Sequence, residues 1–276
     1  MRHLLVSGNS YAGKGALCVA LSYIAHNEEP VTIHFLTADL SDLKPQFVPL
    51  EKGAGQYIDS LLKQKNPESA FLLHDVSDIV RKSPLMKKFR NSSYSPYALL
   101  RLFADLVEGL PDLVLYLDTD TVIMKELSEL FATDMKDREF AGARDYLGRF
   151  WIGKNYQNSG VLLMNLREIR QTGLLTKCRD YLSEHKPILA DQDALNYNVR
   201  EKVFLEDRFN EQHVEKEDTV IRHFTKTIRF LPFFHTVNIK PWMTDLVHSK
   251  LKTHAFDDLL RQYGEHYPKL EEASRG

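Results

Sequence analysis

The feature that most constrains this chain is an apolar run that ends in two acidic residues, Leu113-Val-Leu-Tyr-Leu-Asp118-Thr119-Asp120. The run is short, aliphatic and preceded by glycine and proline, which predicts a buried strand rather than a helix. Side chains two apart in a strand point to the same side, and open α/β sheets bind ligands at the carboxyl ends of their strands. We therefore expect the carboxylates of Asp118 and Asp120 to converge at such an end.

Two neighbouring carboxylates repel each other, and a cation relieves that repulsion. Hard oxygen ligands suit Mg²⁺, Mn²⁺ or Ca²⁺, so Asp118 and Asp120 are candidate metal ligands. The alternative interpretation is a polar turn that closes the strand and caps a helix at about residues 124–131.

Composition excludes several classes of protein. The chain has 276 residues, 43% hydrophobic content and a formal net charge of −2, which leaves no basic surface for nucleic acid. Its only cysteines, Cys18 and Cys178, suit a reducing cytosol. No stretch approaches the roughly 20 apolar residues of a membrane span. We expect a cytoplasmic protein whose contact with the inner face of a membrane is at most peripheral.

Strand-like and helix-like segments alternate along the chain, which predicts an α/β fold with a mostly parallel sheet flanked by helices. No linker-like shift in composition divides it, so we expect a single domain, 1–276, with a core at about 3–245. The predicted strands cover residues 4–7, 31–36, 71–74, 113–117, 140–143, 161–165 and 220–224. The predicted helices cover residues 16–26, 57–65, 96–106, 166–185, 191–196 and 244–266, and the tail 271–276 is expected to fray.

The segment Gly8-Asn-Ser-Tyr-Ala-Gly-Lys14-Gly15 follows a strand and opens a helix, so it nearly spells a phosphate-binding P-loop. A P-loop needs a Ser or Thr hydroxyl at the position of Gly15 to ligate the metal. A nucleotide hydrolase is therefore the weaker hypothesis, and a glycine-rich turn with Lys14 in water is the stronger interpretation of this segment.

Five short motifs follow one another in a fixed order. They are Leu-Asp118-x-Asp120, Asn158-Ser-Gly160 ahead of an apolar strand, Asp191-Gln192-Asp193-x-x-Asn196, His223-Phe224 and Lys240-Pro-Trp242. In this order they resemble glycosyltransferase family 8, the retaining GT-A enzymes that include bacterial lipopolysaccharide galactosyl- and glucosyltransferases and glycogenin. The resemblance covers residues 4–245 and implies a GT-A fold that moves a hexose from UDP-glucose or UDP-galactose.

The resemblance implies that Asp118 and Asp120 hold a divalent ion, with Thr119 between them at the donor. A histidine is the family's third ligand, and a mixed oxygen and imidazole set favours Mn²⁺ over Mg²⁺. The family places that histidine six residues before the lysine of Lys-Pro-Trp. We favour His223, which ends an apolar strand and precedes a Phe, although it lies far upstream. His235, at nearly the right distance, remains the alternative.

The resemblance also implies a donor site at the sheet edge. Lys240 would hold the diphosphate, and Arg101 would face the phosphates or the sugar unless it is only a helix arginine whose head reaches water. Ser7, Asn9 and Tyr11 would meet the uracil, with Tyr11 stacked on the ring; a turn tyrosine packed on the first helix is the alternative. Trp242 is expected to pack rather than touch sugar.

The remaining matched residues lie on the sugar side. Asn158, Gly160, Asp191 and Gln192 would line the sugar, and Asp145 the sugar or acceptor pocket. Gln192 stands where retention would call for a nucleophile, and an amide is a poor one. The resemblance therefore implies front-face substitution with Gln192 stabilising the transition state, while Asp193 caps its own helix.

The acceptor is expected to be a sugar on a cell-envelope glycan, glycolipid or glycoprotein. A sugar-nucleotide-binding protein without transferase activity is the third hypothesis. The intact carboxylate pair, together with Asp191, Gln192 and Lys240, argues against it. The sequence gives no indication of oligomeric state.

Overall fold

The computed structural model describes residues 1–86, 95–229 and 235–275, with the side chains of 227–229 and 235 outside that description. The strands are β1 Arg2–Ser7, β2 Val31–Thr37, β3 Ala70–Asp75, β4 Leu113–Leu117, β5 Thr121–Ile123, β6 Phe140–Arg144, β7 Gln157–Asn165, β8 Val203–Phe204, β9 Ile221–His223, β10 Thr227–Arg229 and β11 His235–Val237.

The α-helices are α1 Gly13–His26, α2 Lys52–Lys65, α3 Ser77–Lys82, α4 Ser128–Phe131, α5 Gly148–Trp151, α6 Leu166–Thr172, α7 Leu174–Glu184, α8 Ala190–Asn198, α9 Thr244–Leu246 and α10 Asp257–Ala273. Tighter 3₁₀ turns cover Ser10–Ala12, Pro96–Leu106 and Asp207–Asn210.

Seven strands form the central sheet, in the order β3-β2-β1-β4-β7-β6-β8. The pairs β1–β2, β2–β3, β1–β4 and β6–β8 are parallel, whereas β7 runs antiparallel to β4 and β6. The α/β fold class predicted from the sequence is confirmed. Because β7 runs antiparallel to β4, its amino-terminal half lies beside the carboxyl end of β4, and Leu117 pairs with Val161.

A second small sheet positions the candidate histidine. Strand β5, directly after the acidic turn, pairs antiparallel with β9, so Thr121 lies opposite His223. The other small sheet pairs β10 with β11. The chain thus returns to the end of β4 after about one hundred residues.

The apolar strands are buried because helices cover both faces of the sheet. Every residue of β2 and of β7 is buried. Helices α1, α2 and α10 cover one face, around Leu17, Ile58 and Tyr263. The 96–106 helix with α6 and α7 covers the other, around Phe103 and Leu175.

Two predicted helices differ in geometry. The 96–106 segment is a 3₁₀ helix, and the side chain of Ser95 does not cap it. The predicted helix 166–185 is two helices, because Gly173 adopts φ +68° between them and ends the first. The alternative of a polar turn that leads into a helix at 124–131 holds only in part. The helix covers Ser128–Phe131 alone, and residues 121–123, directly after the turn, form β5.

The predicted helix 244–266 is wrong. The chain forms α9, continues as a π-helical turn over Val247–Leu251 and breaks at Lys252, whose φ is +56°. Helix α10 then runs from Asp257 to Ala273, so the first three residues of the tail that is expected to fray are helical. No helix formed by the described residues has the length and apolar composition that crossing a membrane requires. The single-domain organisation stays a prediction.

Candidate active site

Three of the predicted metal ligands meet at the carboxyl end of β4. Asp118 follows the strand, and a turn closed by a hydrogen bond from the Thr121 amide to the Asp118 carbonyl (3.1 Å) presents Asp120. The Nε2 atom of His223 lies 3.6 Å from Asp118 Oδ2 and 3.3 Å from Asp120 Oδ1. One ligand atom from each residue falls within 4.8 Å of the other two, so the three side chains can hold one metal ion.

The tautomer of His223 follows from a chain of hydrogen bonds. The amide of Gly160 donates to Asn158 Oδ1 (2.9 Å), so that atom is an acceptor. Asn210 Nδ2 donates to the same oxygen (3.0 Å), which leaves Asn210 Oδ1 to accept from His223 Nδ1 (3.1 Å). With its proton on Nδ1, His223 turns a lone pair on Nε2 toward the two carboxylates, as a metal ligand requires.

Gly160 supplies the space for this cluster. A Cβ atom at this position would overlap the His223 ring, 2.7 Å from its Nδ1, and would lie 2.8 Å from Asp118 Oδ2. The glycine amide also donates to Asn158, and its carbonyl accepts from the Asp118 amide (2.8 Å). The residues therefore fit a divalent ion: two carboxylates, one oriented imidazole and a cradle that any side chain at 160 would fill.

Arg101 lies beneath the carboxylates rather than in water. Only 4% of it is exposed. Its guanidinium donates to Asp118 Oδ1 (2.7 Å) and to the carbonyl of Ser159, and its Nε lies 3.3 Å from Asp191. The alternative of a helix arginine with its head in water is wrong. The hydroxyl of Tyr116 also donates to Asp118 Oδ1 (2.8 Å).

Lys240 forms an ion pair with Asp120 Oδ2. Burial by itself raises the pKa of Asp120, but the charge and the hydrogen bond of the Lys240 ammonium help to hold the pKa below its usual range. The predicted phosphate-holding lysine is thus held at the metal cluster by the carboxylate. The predicted alternative ligand, His235, lies in β11, and its side chain is outside the described part of the structure.

The sugar-side residues form one buried network on β7 and α8. Gln192 Oε1 accepts from the Ser159 amide (3.0 Å), and its Nε2 donates to Asp145 Oδ2 (3.1 Å). Asn158 Nδ2 donates to the same Asp145 oxygen (2.9 Å). Asp191 accepts from the Ser159 hydroxyl (3.2 Å), and burial raises the pKa of its carboxyl, with Arg101 opposing that shift.

Two neighbouring carboxylates anchor helices at the rim of this network. Asp145 Oδ1 accepts from the amides of Leu147 and Gly148 (3.1 and 2.6 Å) at the start of α5. Asp193 Oδ2 accepts from the amide of Leu189 (2.9 Å), the residue that precedes α8. The prediction that Asp193 caps its own helix is confirmed.

The elbow after β1 is arranged differently from the expectation at Ser7. Ser7 is buried against Tyr116, with 3.4 Å between the hydroxyl oxygens. Tyr11 is 54% exposed and meets Trp242 edge-on, with ring centroids 6.2 Å apart. Trp242 packs there, and more than half of the Tyr11 side chain stays exposed.

Lys14 does not simply point into water. Its Nζ lies 5.0 Å from the ring centroids of both Tyr11 and Tyr267, so the ammonium is held between two aromatic faces. Gly15 has a steric role, because a Cβ there would overlap the Thr119 carbonyl and lie 2.6 Å from Thr119 Cβ. Helix α1 can approach the acidic turn only because residue 15 has no side chain.

The sequence model of glycosyl transferase family 8 matches residues 7–245, most of the chain. The chain belongs to glycosyl transferase family 8. The matched range includes every residue of the metal cluster and of the buried network described above. Family 8 membership confirms the resemblance on which the predicted site was built.

Solved structures of similar fold support the GT-A assignment. LgtC, in an active-site mutant, superimposes with a TM-score of 0.68 at 19% identity, covering 95% of this chain and 96% of that one. The galactosyltransferase LgtC in complex with donor and acceptor sugar analogues gives 0.67 at 18% identity over the same shares. The glycosyltransferase GlyE of Streptococcus pneumoniae TIGR4 gives 0.66 at 19%, over 95% and 63%. The chain has the GT-A fold.

Similar sequences carry the same general name. Glycosyltransferase GlyA of Streptococcus pneumoniae serotype 4 is 39% identical over 126 residues, which cover 45% of this chain and 18% of that protein. The probable glycosyl transferase Gly of Streptococcus gordonii is 36% identical over 132 residues, 46% of this chain and 18% of that protein. The match thus spans less than one fifth of these relatives, and family 8 membership supports sugar transfer as the activity.

Sequence reasoning missed the residues that orient the predicted ligands. Asn210 lies in a 3₁₀ turn with no motif around it, and nothing local marks it as the partner of a histidine 13 positions later. The sequence predicts Tyr116 only as an apolar strand residue, although strand alternation places it on the same side as Asp118. Ser159 stands inside the Asn-Ser-Gly motif and could have been found there.

Proposed function

We propose that this chain transfers glucose or galactose from a UDP-sugar to a glycan, glycolipid or glycoprotein acceptor, with retention of configuration and with a divalent ion. The family and fold support glycosyl transfer; the donor, the metal and the stereochemistry are our inference. The observation that carries it is the convergence of Asp118, Asp120 and the His223 Nε2 atom around the space left by Gly160.

A hard divalent ion suits this donor set. The carboxylates supply oxygen ligands, and the imidazole shifts the preference toward Mn²⁺, with Mg²⁺ as the second choice. A bound ion would neutralise charge on the departing diphosphate without any proton transfer. Asn210 orients the histidine, while Arg101 and Tyr116 hold the other oxygen of Asp118.

The donor would extend from the elbow after β1 across the sheet edge. The exposed ring of Tyr11 is available for stacking on the uracil, with Asn9 beside it, whereas Ser7 acts on the site through Tyr116. Lys240 carries the compact positive charge that suits a diphosphate. Its ion pair with Asp120 keeps that charge at the site.

The transferred hexose would lie over the buried network of β7 and α8. Asp191 and Asp145 are the carboxylates that can accept sugar hydroxyls, and Asn158 fixes the position of Asp145. Gln192 offers only an amide, which is a poor nucleophile, and this supports front-face substitution rather than a covalent intermediate. The side-chain carbonyl of Gln192 accepts a hydrogen bond from the Ser159 amide. This bond holds the side chain beside the position that we propose for the anomeric carbon.

A cavity of about 490 Å³ adjoins Asp145 and is the proposed acceptor pocket. Its wall includes the stacked rings of Tyr146 and His213, whose centroids are 4.6 Å apart at an interplanar angle of 6°. A flat aromatic surface beside a carboxylate suits a sugar, which offers both an apolar face and hydroxyl groups.

The test is release of nucleoside diphosphate from UDP-glucose, UDP-galactose and ATP, each measured with Mn²⁺ and again with a chelator. We expect UDP release from one of the two sugars only with metal, and no ADP from ATP. Asp118→Asn should abolish that release. Comparing His223→Ala with His235→Ala identifies the histidine ligand, and we expect His223→Ala alone to lose activity.

ADP release from ATP without UDP release from either sugar would contradict the proposal and favour the hydrolase. Calorimetry separates the remaining hypothesis: tight binding of a UDP-sugar with no release, even with a panel of sugar acceptors, would indicate a binding protein. UDP release that the chelator leaves unchanged would contradict the metal dependence alone.

A further inference from the structure

A second cluster of metal-ligating side chains lies outside the site described above, at the junction before α10. His248 belongs to the π-helical turn, His254 to the loop that follows and Asp257 to the first turn of α10. One ligand atom of each lies within 4.8 Å of the other two. The family 8 site makes no use of these residues.

The carboxylate of Asp257 joins the two rings. Its Oδ1 lies 2.6 Å from His248 Nε2, and its Oδ2 lies 2.9 Å from His254 Nδ1. The ring centroids are 4.6 Å apart.

The backbone on both sides of the cluster is anchored. Val247, next to His248, is fully buried, and Phe256, next to Asp257, is 3% exposed. Both pack in one apolar cluster with Leu260 and with Phe224, whose ring centroid is 5.2 Å from that of Phe256. The ligand-bearing positions are therefore held near one another before any ion arrives, which lowers the cost of binding.

We propose that His248, His254 and Asp257 form a second metal site, one that selects Zn²⁺ or a similar transition metal. Two imidazoles and one carboxylate are the ligand types that Zn²⁺ binds, and water can complete a tetrahedral set. Mg²⁺ and Ca²⁺ prefer sites made of oxygen atoms, so they bind this cluster poorly. The ring of His254 is 74% exposed and can turn to replace its hydrogen bond with a metal bond.

The ion would fasten the start of α10 to the segment that precedes it. Within that segment the chain breaks its helix at Lys252, so no backbone hydrogen-bond ladder continues across the junction. A metal bonded to residues on both sides of this break would stabilise the folded state, because the three ligands are not preassembled in the unfolded chain.

The test uses the full chain without a polyhistidine tag, in an Asp118→Asn background that removes the other candidate metal site. Calorimetry with ZnCl₂ should give about one ion per chain, and the melting temperature should rise with Zn²⁺ but not with Mg²⁺. His254→Gln, His248→Gln and Asp257→Asn should each weaken Zn²⁺ affinity by at least about tenfold, since even loss of an outer partner costs about that much.

Asp258→Asn is the matched control, because its carboxylate is adjacent and 95% exposed but is not part of the cluster. It should bind Zn²⁺ like the parent. All three ligands are at least one third exposed, so the variants should melt like the parent without metal. Equal Zn²⁺ affinity in the parent and the three ligand variants would overturn the proposal, as would the absence of Zn²⁺-dependent stabilisation.

Discussion

Asn210 decides which nitrogen of His223 faces the carboxylates. It contacts neither Asp118 nor Asp120, yet its Oδ1 accepts the Nδ1 proton and its Nδ2 holds Asn158. It is 1% exposed, so no water replaces it readily. Residues of this kind tune a metal site through the orientation of a ligand.

Asn210→Ala is expected to weaken Mn²⁺ binding by about 10–100-fold while the chain still folds, because the imidazole loses the partner that fixes its tautomer and ring orientation. Calorimetric titration with Mn²⁺ and melting without metal would measure the two effects separately. Asn198→Ala, which removes a single side-chain bond to the Ala194 carbonyl within α8, is the control. Unchanged Mn²⁺ affinity would show that Asn210 does not orient the ligand.

Gly160→Ala tests whether the space beside residue 160 is needed, because it leaves the three candidate metal ligands unchanged. The added methyl would overlap the His223 ring and lie 2.8 Å from Asp118 Oδ2, so we expect at least a hundredfold loss of metal-dependent UDP release. Gly264→Ala is the control, because a Cβ there meets no atom within 4 Å and α10 should gain rather than lose stability. Activity close to that of the parent would mean that His223 is not held against Gly160 in solution.

At the scale of elements, the first helix packs against the acidic turn at Gly15, where the absence of a side chain allows the close approach. The sequence disfavours a P-loop because residue 15 lacks the Ser or Thr hydroxyl that would ligate the metal. In the structure, Gly15 is needed because Thr119 occupies the space of any side chain there. A local motif could not reveal this, because the two residues are more than one hundred positions apart.

Gly15→Ser would complete the P-loop sequence motif, and we expect the variant still to give no ATP hydrolysis. We expect it to destabilise the chain by about 1–3 kcal/mol through overpacking against Thr119. It should also lower UDP release by displacing the turn between Asp118 and Asp120. Urea denaturation and the two release assays measure these effects, and a stable variant that hydrolyses ATP would contradict the family 8 interpretation of this elbow.

The sequence predicted elements best where one local signal dominated. Strands β1, β2, β4 and β7 are rich in apolar residues, and the sequence locates all four, although β7 begins at Gln157 rather than at the predicted Val161. The C-terminal helix was wrong because apolar spacing continues across Lys252, and only packing against Phe224 and Val122 shows that the chain turns there. The break at Gly173 had a visible signal, a glycine within the predicted helix.

At the scale of the whole molecule, a row of histidines crosses three strands of the sheet. His34 on β2 contacts His3 on β1 (3.3 Å) and His74 on β3 (3.0 Å) through ring nitrogens. Burial, with the charges of His74 and His3, lowers the pKa of His34 to about 4. The row was not predicted, because its members belong to three separate strands and their alignment depends on register.

This row predicts that stability falls in mild acid. Between about pH 6.5 and pH 4 the unfolded chain binds a proton at His34 that the folded chain does not, so the free energy of unfolding decreases as the pH falls. From pH 7.5 to pH 5 the expected loss from His34 is about 2 kcal/mol. Urea denaturation at both pH values should show that His34→Gln reduces this pH dependence by about that amount.

Equal pH dependence in the parent and His34→Gln would contradict the prediction. A lower stability of His34→Gln at both pH values would not contradict it. Only the change in the free energy of unfolding between the two pH values measures the proton uptake at His34.

The global fold and most of the candidate site could be predicted because the five motifs are local and their order is informative. The contacts that hold those motifs in place could not be predicted. They involve Asn210, Gly15 and the pairing of β5 with β9, and each joins segments that are distant in the sequence. The donor, the metal and the individual site residues remain proposals with defined tests.

The space beside Gly160 also suggests how inactive relatives can be recognised. A chain that kept both aspartates and the histidine, but carried alanine at 160, would satisfy every search for the reactive groups and still have no room to arrange them. In such a lineage, the first change that accompanies loss of function would be one added methyl group at residue 160. The space at residue 160 is therefore a feature to check beside the ligands when relatives of this chain are compared.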